Sequence, residues 1–182
     1  VVEDVRPFTQ VTLPVPSDPG GTLGSAYVYS SSSLQGQYGV FTIAADGIGH
    51  NTNLTHAEQI TMMTLWGIFR SPLIMGGEMR DNDAFTLSLL TNDELLNLNQ
   101  NGTTPLQLFR DETKAAWLNF VGSMPYIALF NLTENRAVVS AELSEFTDKT
   151  HAEEIWSGEK TAFTKTLSAK IEPHGAKLYK LI

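Results

Sequence analysis

From residue 105 onward the chain repeats one kind of segment. Short runs rich in β-branched, aromatic and aliphatic side chains are separated by Gly, Asn, Asp or Pro. Residues 106–109, 115–121, 126–131, 137–143, 154–156, 166–171 and 176–181 all fit this description. Side chains of these types favour a pleated, half-buried backbone. Strands recurring at short spacing with such punctuation predict an antiparallel β-sandwich. Leu167, Ala169 and Ile171 alternate with polar neighbours, as a strand with one wet face should.

Residues 54–104 obey a different period. Thr55-His56-Ala57-Glu58 has the spacing of a capping box. Met62, Leu65, Trp66 and Phe69 follow at helical spacing, with Ile60 and Met63 widening the stripe, so these side chains read as core. The helix must stop near Ser71, because Pro72 disfavours helical geometry in the residue before it. Pro72-Leu73-Ile74-Met75-Gly76-Gly77 reads as a buried strand. Asn82 or Asp83 can cap a short helix through Leu90, and Thr91-Asn92-Asp93-Glu94 reads as a second capping box opening a helix through Asn99. Helix, buried strand and two helices follow α/β barrel or doubly wound logic. The boundary with the strand-rich part is expected at 101–105.

Residues 1–53 are less regular. The runs 11–15, 26–29 and 38–43 read as short strands between a Pro-Gly-Gly turn and a serine run, and no helix is predicted.

Composition excludes several functions. The net charge of −8 disfavours nucleic-acid backbones and anionic membranes as partners. No apolar run reaches the roughly 18 residues of a membrane-spanning helix. Without cysteine there can be no disulfide, thiolate metal site or cysteine nucleophile. That composition is compatible with a cytosolic protein or with a bacterial periplasmic or secreted one. The chain begins at Val1 rather than Met, which is compatible with processing, trimming or a fragment. Three Asn-x-Thr sequons, at Asn53, Asn101 and Asn131, are patterns that arise often by chance.

Several adjoining motifs resemble glycoside hydrolase family 27, the family of α-galactosidases and α-N-acetylgalactosaminidases. The segment from Leu54 to Trp66 is similar to its seventh barrel helix. Ser71-Pro72-Leu73-Ile74-Met75-Gly76-Gly77-Glu78-Met79-Arg80 is similar to the eighth strand, after which the family usually carries Asp-Leu-Arg. The segment from Leu89 to Gln100 resembles the one that follows, with Asn101 where the family commonly has Asp. Ile127-Ala128-Leu129-Phe130-Asn131, Glu154-Ile155-Trp156-Ser157-Gly158 and Pro173-His174-Gly175-Ala176 resemble stretches of the family's C-terminal sandwich. The resemblance runs over residues 54–182.

It implies retaining hydrolysis of α-linked galactosides, which needs two carboxyl groups about 5–5.5 Å apart and no cofactor or metal. The family's nucleophile and acid/base are aspartates on earlier barrel strands, in motifs this sequence does not carry. Asp46 stands near the place of a family sugar-contacting aspartate; it also reads as a turn residue beside Gly47. Glu78 and Arg80 follow the implied eighth strand, where a barrel builds its site, so either can meet a sugar. They can equally form a structural ion pair. His50 and His56 flank a helix start without a third ligand, which argues against a metal site. Trp117 and Trp156 can stack on sugars, but their places in the sandwich favour core packing.

The expected architecture is α+β, a partial (β/α) barrel remnant followed by an antiparallel β-sandwich. It divides into a β-rich segment of unassigned role (1–53), the end of a barrel (54–104) and the sandwich (105–182). A whole barrel takes about 250 residues. The expected function is therefore the C-terminal portion of an α-galactosidase-like enzyme, inactive alone, with exposed barrel elements that favour homo-oligomers. Two alternatives stay open. One is a non-catalytic carbohydrate-binding or accessory module, and the other is a substitute site using Asp46 and Glu78.

Overall fold

A computed structural model of the chain describes residues 52, 54–74 and 82–182, together with the backbone of two short strands, β1 (Thr9–Val11) and β2 (Ala26–Val28). β1 and β2 pair antiparallel with Gln10 opposite Tyr27, and they belong to a different compact unit from residues 54–74 and 82–182. The strand expected at 38–43 lies outside the described residues.

Three helices open the larger unit. Helix α1 (His56–Phe69) starts at the predicted capping box: the Thr55 hydroxyl accepts from the Glu58 amide at 3.3 Å, and the Glu58 carboxylate accepts from the Thr55 amide at 2.7 Å. Asp83 caps α2 (Ala84–Leu90), accepting from the Thr86 amide at 2.7 Å. Helix α3 (Asp93–Asn101) begins one residue later than its apparent capping box. Asn92 is the cap, accepting from the Leu95 amide at 3.0 Å, and the Thr91 hydroxyl instead donates to Leu87 O at the end of α2. Glu94 is thereby freed for distant partners. Of the buried strand expected at 72–77, residues 72–74 are in no strand, with Ile74 69% exposed, and 75–77 lie outside the described residues. An apolar run becomes a strand only where a neighbour takes up its backbone groups.

The strands that follow are β3 (Leu106–Arg110), β4 (Lys114–Val121), β5 (Met124–Asn131), β6 (Ala137–Glu142), β7 (His151–Glu154), β8 (Lys160–Ala162), β9 (Thr166–Ile171) and β10 (Ala176–Leu181). Six form an antiparallel sheet in the order β3-β4-β5-β10-β7-β8, and β6 pairs with β9 in a second sheet. A two-residue hairpin joins β4 to β5, with Gly122 at φ 59 supplying the positive φ that such a loop demands.

The six-stranded sheet is covered on both faces. On one face Ala116, Leu118, Ile127, Leu129, Tyr179 and Leu181 pack against Val139, Leu167, Ala169 and Ile171 of the small sheet. On the other, Ala115, Tyr126, Ala128, Phe130 and Leu178 pack against Met63 and Ile68 of α1 and Leu95 and Leu98 of α3. Double coverage explains the two strand patterns. β5 is buried from Pro125 through Asn131 and reads as an unbroken apolar run, whereas β9, buried on one face only, alternates. Ile68, Leu95 and Leu98 are fully enclosed, contributing roughly 1.5–3 kcal/mol each. The helices are thus a third layer on the sandwich.

Candidate functional site

Asp46, Glu78, Arg80 and His50 lie outside the described residues. Among the described residues no group of three or more His, Asp or Glu side chains is placed to hold a metal ion, and no helix is long and apolar enough to cross a membrane. His56 opens α1, where its ring stacks on Phe85 of α2 with centroids 3.8 Å apart. That contact ties together the starts of the two helices.

The described polar chemistry concentrates in the seam between the helix layer and the large sheet. The Thr61 hydroxyl donates to His174 O at 2.6 Å, and the Trp156 indole N–H donates to the Thr64 hydroxyl at 3.0 Å. Asn92 Nδ2 donates to Ile155 O at 3.0 Å. Asn119, fully buried in β4, donates through Nδ2 to Ile68 O at 2.8 Å, and its Oδ1 accepts from the Thr103 hydroxyl. A buried amide bonded through both its oxygen and its nitrogen holds two elements in register.

Glu94 sits where three elements meet. Its carboxylate accepts from the Tyr126 hydroxyl at 2.6 Å and from Lys180 Nζ at 2.8 Å. Burial works to raise its carboxyl, but the hydrogen bonds from Lys180 and Tyr126 outweigh that and hold it below the usual carboxylate range. Burial, together with the hydrogen bond to Glu94, pushes the Tyr126 phenol well above its ordinary value. A neutral phenol, an ionised carboxylate and an ammonium satisfy one another here, which suits fastening rather than proton transfer at neutral pH. Glu154, buried opposite Tyr179, accepts from the amide and hydroxyl of Ser157 at 2.8 and 2.7 Å and so fastens its own turn.

All three tryptophans line this seam. Trp66, Trp117 and Trp156 pack against the helix–sheet core, with Trp117 4.4 Å from the Phe69 ring. Trp117, in β4, and Trp156, in the turn after β7, are partly buried and serve packing between the helices and the sheet. Asn119, Thr64 and the partners of Glu94 were not singled out from sequence. A lone Asn in Ala-Trp-Leu-Asn-Phe-Val and a lone Thr in Met-Met-Thr-Leu-Trp were the available signals: polar residues inside apolar runs.

Residues 120–181 match the family model of the alpha galactosidase C-terminal beta sandwich domain. Over 139 residues the chain is 26% identical to alpha-galactosidase 2 of Arabidopsis thaliana, a match covering 72% of this chain and 35% of that protein. A GH27 β-L-arabinopyranosidase from Geobacillus stearothermophilus has a structure similar to this one at a TM-score of 0.70 and 40% identity, covering 76% of this chain and 33% of the other. A variant of that enzyme in complex with arabinose gives 0.69 and 42%, over 75% and 33%. The chain spans about a third of the length of these relatives.

Proposed function

We propose that this chain, similar to the C-terminal portion of α-galactosidase-type glycoside hydrolases of family 27, supplies the scaffold of such an enzyme. Residues 105–182 are its sandwich and 54–104 the end of its barrel. The reaction served is retaining hydrolysis of α-linked galactosides, with the two catalytic carboxylates on earlier barrel strands. Glu78 and Arg80 follow the proposed eighth strand and are candidates for contact with the sugar, with Asp46 a weaker one. The observation that carries this reading is the extent of the structural likeness. It covers 76% of the chain, more than residues 105–182 can account for, so it reaches into the helix layer.

One observation favours a second sugar. A β-L-arabinopyranosidase of known structure is 40% identical over the matched part, while α-galactosidases of Arabidopsis thaliana and Schizosaccharomyces pombe are 26% and 32% identical over theirs. A β-L-arabinopyranoside has the ring configuration of an α-D-galactoside without its hydroxymethyl group, so one site architecture can take either.

The test pairs two proteins with nitrophenyl α-D-galactoside and nitrophenyl β-L-arabinopyranoside. The first is the purified chain, alone and as Asp46→Asn and Glu78→Gln. The second is a chimera in which residues 54–182 replace the matching C-terminal third of the Geobacillus enzyme. The proposal expects no turnover from the folded chain and turnover from the chimera. Turnover by the chain that both substitutions abolish would instead establish a self-contained site. A folded but inert chimera would count against the scaffold role and in favour of an accessory module.

A further inference from the structure

An α-helix ends with carbonyls that have no partner within the helix. At the end of α1 these carbonyls are filled from residues far along the chain. Asn99 of α3 donates from Nδ2 to Trp66 O at 3.0 Å and to Ser71 O at 2.8 Å. Asn119 of β4 takes Ile68 O at 2.8 Å.

Between the two acceptors of Asn99 lies Arg70. It holds φ 57 and ψ 38, the left-handed conformation in which a helix usually ends on glycine. Its amide donates to Gly67 O at 3.1 Å, and the Ser71 amide to Trp66 O at 2.9 Å. Its side chain turns to the end of α3, where Nε donates to Asn99 O and Nη2 to Gln100 O, both at 3.2 Å. The guanidinium is a cation at a helix C-terminus, where the dipole favours positive charge. The two helix ends therefore cap each other.

Asn99 straddles the bend at Arg70, with one bond on the last helical turn and the other on the first residue after it. A side chain that grips both sides of a left-handed kink fixes the angle of that kink. Pro72 follows at once and restricts Ser71 to an extended backbone. We infer that Asn99 is a positioning residue, which sets the direction in which residues 71–74 leave α1. Its importance for catalysis rests on the proposed function, in which residues 71–74, in no strand here, lead toward the eighth barrel strand.

The chain contains no cysteine, so labels can be placed cleanly. Ile74 and Val138 are 69% and 57% exposed, and both accept Cys with a nitroxide. The distance distribution between them, measured by double electron–electron resonance, should be narrow in the parent. In Asn99→Ala it should broaden or shift, while a control pair at Leu87 and Val138 stays unchanged. This readout responds to direction and not to lost stability, because it is taken on folded protein well below the unfolding temperature. If Asn99→Ala does not fold, Asn99→Asp keeps the size and replaces both donors with acceptors, and the same change is expected. An unchanged 74–138 distribution in a folded variant overturns the inference. No hydrolysis is measured, so the inference can fail while the glycosidase reading stands, and the reverse.

Discussion

Gly67 of α1 lies directly against Leu95 of α3. A Cβ added there would lie 2.3 Å from Leu95 Cδ1 and 3.1 Å from Leu95 Cγ. On an isolated helix Gly→Ala is favourable by about 0.8–1.0 kcal/mol. Here the alanine methyl meets a leucine with no exposed surface, which has little room to turn aside. Overpacking of that kind costs about 1–3 kcal/mol. The clash is expected to win, leaving Gly67→Ala destabilised by up to about 2 kcal/mol. Leu95→Ala alone should cost about 2–5 kcal/mol through the cavity it leaves. In the double variant the new methyl points into that cavity, so the two losses should not add. A favourable coupling of about 1–3 kcal/mol is expected. Urea unfolding followed by tryptophan fluorescence measures all three proteins, and the probe is well placed because Trp66, Trp117 and Trp156 line the same core. A Gly67→Ala chain more stable than the parent, or additive losses in the double variant, would refute the close packing of α1 on α3.

The seam yields further tests. Asn119→Ala leaves Ile68 O without its donor and should cost about 1–3 kcal/mol in the same unfolding assay. Gly102→Ala should also destabilise, because the added methyl would sit 2.5 Å from Leu98 O, a backbone atom that cannot swing away. At acid pH, Glu94 contributes stability that is present above the unfolded carboxylate value and is lost as pH falls through its depressed folded value. Glu94→Gln should accordingly flatten the acid limb of stability against pH. At alkaline pH the sign reverses. The Tyr126 phenol is raised in the folded state, so its contribution is complete below about pH 10 and declines as pH rises beyond it. Tyr126→Phe should reduce that decline without removing it, because burial and nearby Glu154 also raise Tyr179.

Strand legibility followed burial. β9 and β10 match their expected bounds: β9 alternates strictly, and β10 is buried at every position except Lys177 and Lys180. β8, three residues with an exposed-intermediate-exposed pattern, left none. The run at 154–156 was misplaced: the strand there is His151–Glu154, and Trp156 belongs to the turn, where its ring reaches Thr64. An aromatic residue in a turn looks like strand until its distant partner is known. The same limit applies to Glu94. Local spacing offered a capping role, but Tyr126 and Lys180, 32 and 86 residues away, outcompete it. The packing of the helices on the sandwich was hidden for a related reason. Thr61, Thr64 and Asn119 act across 51 to 113 residues, and no local pattern encodes such pairs. The candidate sugar-contacting positions, Asp46, Glu78 and Arg80, came from family likeness and lie outside the described residues.

Packed on the large sheet through one shared core, the helices proposed to end the barrel are held by the sandwich and share its stability. Native-state amide hydrogen exchange at rising urea tests this most directly. Amides of Met63 through Ile68 in α1 should exchange through the same global opening as those of Ile127 through Phe130 in β5, with matching opening free energies and urea dependences. If the α1 amides open at clearly lower free energy, with a shallow urea dependence of their own, the helix layer is a separate unit and the sandwich does not hold it.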